Sequence, residues 1–399
     1  MAPAIAVMGM VVMVVLVVVV VALGSIGADA ARASPMQQLV SAEELGDRIE
    51  LDDDDLPYVF AQFKRKSDRK VAVPLAAEVD FEKPREPSAD ELQNMRIAVA
   101  SLAAPIQREH APKVAKYAFS MCFLFETFRN NTNFKNVDYL MITRDTSWAF
   151  TDATKEIVQA CNIKVKERPL AIKTKYITDT YFQDILKDKA VAGIGLLDYD
   201  FLWPWSFEEY DKVLVLDSDT FVTKNIDHLF TPDVDMVFTN GPKSHVNGGM
   251  QLIRPNLRTF IDMRNRVIAP NAYRRETGWY NHGFIPPDQY GSATLQGFLT
   301  YYFTAVNTNV LQVPRHLYNF QFDHISVATG VPCDDVYMFH FTACPKPMVT
   351  TVSRFKIIKK KANKPEICEC AFLRYKAFQR HLLEVGGPEL VHIIRKHMN

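Results

Sequence analysis

Tyr210-Asp211-Lys212-Val213-Leu214-Val215-Leu216-Asp217-Ser218-Asp219-Thr220 is an apolar, β-branched run that stops abruptly in two carboxylates two positions apart. The four apolar residues from Val213 to Leu216 predict a short buried strand. A strand turns residues i and i+2 to one side, so Asp217 and Asp219 are expected to face one spot just past its C-terminal end. In open α/β sheets that edge is where ligands bind. Two converging carboxylates there suit a hard divalent cation, and such cations commonly also hold phosphate oxygens. Asp-Ser-Asp-Thr after a strand equally suits a plain turn or a helix N-cap. The neighbouring sequence has to decide.

Outward from this stretch, strand and helix patterns alternate. Strands are predicted over 96–100, 137–143, 163–168, 235–239, 309–313 and 336–341, and another after Gly249 that Pro255 closes. Apolar residues at helical spacing predict helices over 113–128, 153–160 and 257–268. A short helix is expected over 226–230, and a longer one opened by Asp288-Gln289 and running to Thr304. Residues 170–209 are less regular. Their Trp203 and Trp205 read as core or surface aromatics rather than platforms for a sugar. Residues 271–287, rich in Asn, Gly, Pro and aromatics, read as a loop over the sheet edge. This alternation predicts an α/β fold with a mostly parallel, Rossmann-like sheet and helices on its faces.

Four separated motifs, in this order, resemble glycosyltransferase family 8, the glycogenin and galactinol-synthase-like enzymes, over roughly residues 95–350. The first is Glu209-Tyr210-Asp211-Lys212 running into Leu216-Asp217-Ser218-Asp219-Thr220, then Asn225-Ile226-Asp227-His228-Leu229-Phe230. The second is Asn247-Gly248-Gly249 with Arg254-Pro255, the third Asp288-Gln289, and the fourth His340-Phe341 with Lys346-Pro347. The resemblance implies a GT-A fold, a UDP-sugar donor, Mn2+ and transfer with retention of configuration. It implies that Asp217, Asp219 and His340 are metal ligands and that Lys346 contacts the donor diphosphate. It also implies that Asn247, Asp288 and Gln289 line the sugar, with Ser218, Gly248 and Gly249 beside the donor.

These roles are chemically consistent. A divalent ion and a lysine stabilise the diphosphate that leaves a sugar nucleotide. Two carboxylates and an imidazole suit Mn2+, or Mg2+, better than Ca2+. The two glycines permit close backbone approach to a ligand. The chain departs from the family where Phe201-Leu202 replaces a Lys-Leu pair sixteen residues before Asp217. It departs again where Ala343 replaces a glycine and Met348 a tryptophan. An inactive relative that only binds a sugar nucleotide or glycan is one alternative, and a glycogenin-like self-glucosylating primer another.

The 399 residues allow roughly two to three domains, or one large α/β domain with additions. Lys+Arg and Asp+Glu both number 46, so no global basic field points to nucleic acid, and an anionic ligand must be held by local groups. Residues 4–23 are almost continuously apolar, and about 20 such residues span a bilayer. Length favours an uncleaved anchor within residues 1–30; Ala28-Asp29-Ala30 fits a cleaved signal peptide. Either sends the rest into the secretory pathway, as a single-pass Golgi membrane protein with a luminal catalytic domain or as a secreted one. Asn130-Asn131-Thr132 is a glycosylation sequon compatible with that route.

Residues 31–94, acidic and proline-bearing, read as a stem with at most one short helix. Residues 351–399 read as a helical extension, with helices over 372–383 and 388–394 and Lys359-Lys360-Lys361 solvated. The six cysteines show no zinc spacing, and one or two disulfides are possible.

Overall fold

A parallel sheet covered on both faces needs apolar residues at consecutive positions, and strands β1 (Arg96–Leu102) and β4 (Lys212–Leu216) supply them. Ile97, Val99, Leu214 and Leu216 enter one core, and Ala98, Ala100, Val213 and Val215 enter the other. The computed structural model describes residues 81–103, 111–144, 150–188, 195–241, 244–283, 291–348, 350–362 and 366–398. The N-terminal apolar segment, most of the expected stem and the Asp288-Gln289 pair lie outside the described residues. Among those described, no helix is long and apolar enough to cross a membrane.

The remaining strands are β2 (Asn136–Thr143), β3 (Lys164–Glu167), β5 (Thr220–Val222), β6 (Met236–Phe238), β7 (Met250–Ile253), β8 (Tyr273–Arg274), β9 (Gly278–Trp279), β10 (Val310–Gln312) and β11 (Met338–His340). The helices are α1 (Ala89–Asn94), α2 (Ala111–Arg129), α3 (Asp152–Ala160), α4 (Thr180–Ile185), α5 (Leu257–Ile268), α6 (Leu295–Tyr301), α7 (Arg315–Tyr318), α8 (His324–Ala328), α9 (Val352–Ala362), α10 (Glu366–Val385) and α11 (Pro388–Met398). The main sheet has the order β10-β6-β7-β4-β1-β2-β3. β7 pairs antiparallel with both of its neighbours, and the other pairings are parallel. The architecture is therefore the expected mixed α/β one, with a mostly parallel sheet flanked by helices. Strand order runs β3-β2-β1 and then jumps to β4, so the switch point lies between β1 and β4, where such sheets bind ligands.

The motif before β4 locks that strand in place. Asp211 accepts from the Arg96 amide at 2.7 Å, and its own amide donates to the Arg96 carbonyl at 2.8 Å. Tyr210 donates to Asp138 at 2.7 Å, and Lys212 is buried, donating to the Pro232 and Val234 carbonyls. In the next motif, Asp227 is a buried staple. It accepts from Thr132 Oγ1, the Asn133 amide and Asn225 Nδ2 at 2.7–2.8 Å.

Three expectations change. The helix assigned from Asp288 begins only at Leu295, because residues 291–294 turn back onto it: a Cβ at Gly297 would lie 1.9 Å from the Ser292 carbonyl oxygen. The loop over 271–287 contains the β8–β9 hairpin, fastened where Arg274 meets Asp179 at 2.6 Å and Trp279 packs edge-on to Phe182. The basic run is not wholly solvated, since Lys359 pairs with Glu369 and helix α9 stacks Phe355 on Phe372 at 4.0 Å.

All six cysteines are paired, as Cys122–Cys161, Cys333–Cys370 and Cys344–Cys368, more bridges than the one or two the sequence left possible beside mostly free buried thiols. Trp205 is wholly buried, and Trp203 packs on Phe260 and donates to the Pro169 carbonyl. Both are core. Ahead of β1, a Ser88/Glu91 capping box starts α1, and Arg85 grips Glu91 with two bonds, 2.6 and 2.7 Å.

Candidate functional site

β4 ends at Leu216, so strand alternation does not aim the two carboxylates. A tight turn does: the Thr220 amide and hydroxyl both donate to the Asp217 carbonyl, at 3.1 and 2.9 Å. The Asp217 amide donates to the Gly249 carbonyl at 3.2 Å, tying the turn to the start of β7. Beyond the turn, β5 pairs antiparallel with β11, setting His340 opposite Thr220. The Phe341 amide then donates to the Asp219 carbonyl at 3.0 Å. Two segments 120 residues apart in the chain thus meet at the end of β4.

His340 Nε2 lies 3.3 Å from an oxygen of Asp217 and 3.3 Å from one of Asp219. The three candidate ligand atoms sit within 4.8 Å of one another. Lys346 Nζ reaches the other oxygen of Asp219 at 2.6 Å, with the lysine side chain still 54% exposed. Ser218 is partly exposed at the tip of the turn.

The imidazole is oriented from behind. His340 Nδ1 meets Asn319 Oδ1 at 3.0 Å. The Asn319 amide nitrogen is committed to Thr239 Oγ1 at 2.8 Å and Asn247 Oδ1 at 3.0 Å. Asn319 is wholly buried. With Nδ1–H donating to Asn319, the Nε2 lone pair points at the aspartates, the tautomer a metal-binding histidine needs. The glycines were expected to admit a ligand. Gly249 instead makes room for an internal group, since a Cβ there would lie 2.5 Å from His340 Cε1 and 2.8 Å from Nδ1. At Gly248 a Cβ would meet only Leu295, at 4.0 Å. Asn247 spends its carbonyl oxygen within the protein, on the Gly249 amide and Asn319.

The charges follow from this packing. Burial favours neutral Asp219, yet His340 and Lys346 overcome it and hold the carboxyl below the usual carboxylate range. Asp217 has no such close lysine, and burial drives its pKa upward. Burial lowers the His340 pKa, but Asp219 and Asp217 together raise it above the ordinary histidine value. Two carboxylates and a pre-oriented imidazole, with a proton on the imidazole stabilised only by those carboxylates, form a donor set that fits a divalent ion of the Mn2+ type.

Sequence reasoning missed two residues. Asn319 had no motif to mark it. Asp198, in the 3-10 helix Gly195–Ser206, accepts from Thr294 Oγ1 at 2.6 Å. Burial pushes Asp198 up to about 7; the Thr294 bond opposes this, and the charges of Asp217 and Asp200 add to it. No sequence signal marked it, because the burial that perturbs this carboxyl comes from tertiary packing. Neighbouring Asp200 is buried against Arg144 at 3.1 Å and accepts from the Ala171 amide.

No family model matches the chain. A stretch of 163 residues is 26% identical to the uncharacterized protein R707 of Acanthamoeba polyphaga mimivirus, covering 36% of this chain and 51% of that protein. A stretch of 90 residues is 29% identical to a putative UDP-glucuronate:xylan alpha-glucuronosyltransferase 5 of Arabidopsis thaliana, covering 22% of this chain and 16% of that protein. The chain therefore spans about half the length of the first relative and about a sixth of the second. Among solved structures, the glycosyltransferase GlyE of Streptococcus pneumoniae superposes with a TM-score of 0.40 at 16% identity, covering 70% of this chain and 64% of that one.

Proposed function

We propose that this chain is a metal-dependent, retaining glycosyltransferase of the GT-A type, related to family 8, that moves a hexose from a UDP-sugar to a glycan, protein or small-molecule acceptor. One observation carries the reading: Asp217, Asp219 and His340 converge at the switch point of the sheet with Lys346 beside them. The name of the plant relative, a UDP-glucuronate user, supports the donor class.

Asp217, Asp219 and His340 Nε2 would hold Mn2+ or Mg2+. The bound ion would offset charge on the departing diphosphate. Lys346, bonded to Asp219 and half exposed, would be the cation that meets a donor phosphate. Asp288 and Gln289 are assigned to the sugar, together with the amide nitrogen of Asn247. Asp198, pushed up to about 7 mainly by burial and partly by the charge of Asp217, is poised to donate or accept a hydrogen bond near neutral pH. The three disulfides suit an oxidising compartment and support a secretory placement, whether anchored or secreted.

The test is release of UDP from a panel of UDP-sugars, with Mn2+ and in chelator. Asp217→Asn or Asp219→Asn is expected to lower turnover by roughly 100- to 1,000-fold, the usual cost of removing one electrostatic stabiliser. Full turnover in chelator sinks the reading. UDP and Mn2+ binding without turnover on any donor replaces it with a sugar-nucleotide binder.

A further inference from the structure

We propose that Asn130 carries an N-linked glycan whose first sugars lie in the cavity between the C-terminal end of α2 and the α10–α11 turn. Asn130-Asn131-Thr132 is the one Asn-x-Ser/Thr sequon in the sequence. The fold leaves Asn130 exposed, immediately past the last residue of α2. Its Nδ2 donates to the Glu126 carbonyl at 2.8 Å. One hydrogen satisfies that bond, and the other position on Nδ2 is open to a sugar.

Beside it is a cavity of about 660 Å3, lined by Glu126, Arg129, Ala160, Val385, Gly387 and Leu390 among others. That volume lies within the range that holds small organic ligands. Its mixed lining matches a sugar, which presents hydroxyls at its rim and C–H bonds on its faces. Glu126 and Arg129 form an ion pair on one side. Val385 is 62% exposed on the other, and a Cβ at Gly387 would meet nothing within 4 Å.

The folded chain turns the Thr132 hydroxyl inward, onto Asp227 at 2.7 Å. An enzyme reading the sequon must therefore act before this loop folds. In that step Asn130 Nδ2 bonds to the anomeric carbon of an oligosaccharide diphospholipid. The anomeric C–O bond breaks, the diphospholipid leaves as an anion, and Nδ2 gives up one proton. The compartment for this chemistry also forms disulfides, and three independent bridges hold this chain.

The test uses the full chain expressed through a eukaryotic secretory pathway. Glycan-removing amidase is expected to lower the mass of the wild type and convert Asn130 to Asp. Asn130→Gln should carry no glycan and show no mass loss on digestion, and Thr132→Ser, which keeps a sequon, should stay modified. An unmodified Asn130 in disulfide-bonded protein overturns the proposal, as does a chain recovered reduced from the cytosol. Amides of residues 385–390 should exchange several-fold more slowly with the glycan attached. Equal rates before and after its removal overturn the seat in the cavity.

Discussion

Two adjacent glycines at the candidate metal site have unlike consequences. A side chain at Gly249 collides with the His340 ring, whereas one at Gly248 enters ordinary contact. Gly249→Ala is therefore expected to displace Nε2 and weaken Mn2+ binding by at least about tenfold, while Gly248→Ala stays within about twofold; the former figure is the lower end for losing ligand orientation. Titration calorimetry with Mn2+ alone separates them, and equal affinities would remove the packing argument. Asn319→Ala takes the hydrogen-bond acceptor from His340 Nδ1 without touching a ligand atom. Such losses cost about 10- to 100-fold in metal affinity. The pH dependence of Mn2+ binding should change along with it, because the wrong imidazole tautomer then competes. A purely structural Asn319 would lower thermal stability and leave that affinity intact.

At the scale of elements, periodicity revealed what burial imposes on one segment at a time. α5 was legible almost to the residue, because Asn256 caps it and Phe260, Met263 and Val267 form its inward stripe. β1 and β4 were legible because both faces of each are buried. The late start of α6 was not, since it depends on how closely the 291–294 turn approaches Gly297. Asn319 was invisible for the same reason: its partners Thr239, Asn247 and His340 come from three other places in the chain. Asp217, Asp219, His340 and Lys346 were legible only as an ordered set of motifs, and the turn that brings them together was misread as strand alternation.

His228 shows a motif residue with a structural part to play. In the 3-10 helix Asp227–Phe230 it is wholly buried, with Nε2 2.8 Å from the Tyr318 hydroxyl and no partner at Nδ1 among the described residues. Burial, helped by Lys83, lowers its pKa from 6.5 to about 4. The folded state thus binds its proton more weakly than the unfolded state. Its contribution to stability is fully present above pH 6.5 and is lost as pH falls through about 4, on the order of 3 kcal/mol in all. Urea midpoints for wild type and His228→Gln should converge over that interval. A constant gap from pH 7 to 4 would mean that His228 does not titrate with folding.

For the whole molecule, the question is why the C-terminal extension should matter to a site at the end of β4. Tyr375 of α10 packs against Phe123 of α2, Phe221 of β5 and Phe341 just after β11. One helix therefore braces both strands of the arm that carries His340 to the aspartates. Cys344–Cys368 bolts that arm to α10 two residues before Lys346, and Cys333–Cys370 bolts it again before β11. Closing loops of 24 and 37 residues stabilises by about 3–4 kcal/mol each on the chain-entropy account. The double variant Cys344→Ser/Cys368→Ser should lose roughly that amount in denaturant unfolding. The double variant Cys122→Ser/Cys161→Ser, whose bridge ties α2 to the end of α3, should lose a similar amount. The two should part company in binding at temperatures where both remain folded. Freeing the Cys344 end loosens Lys346 and should weaken UDP–Mn2+ binding severalfold, whereas freeing α2 from α3 should leave it unchanged. Equal weakening in both would mean that the disulfides only stabilise the fold and that the extension does not position the site.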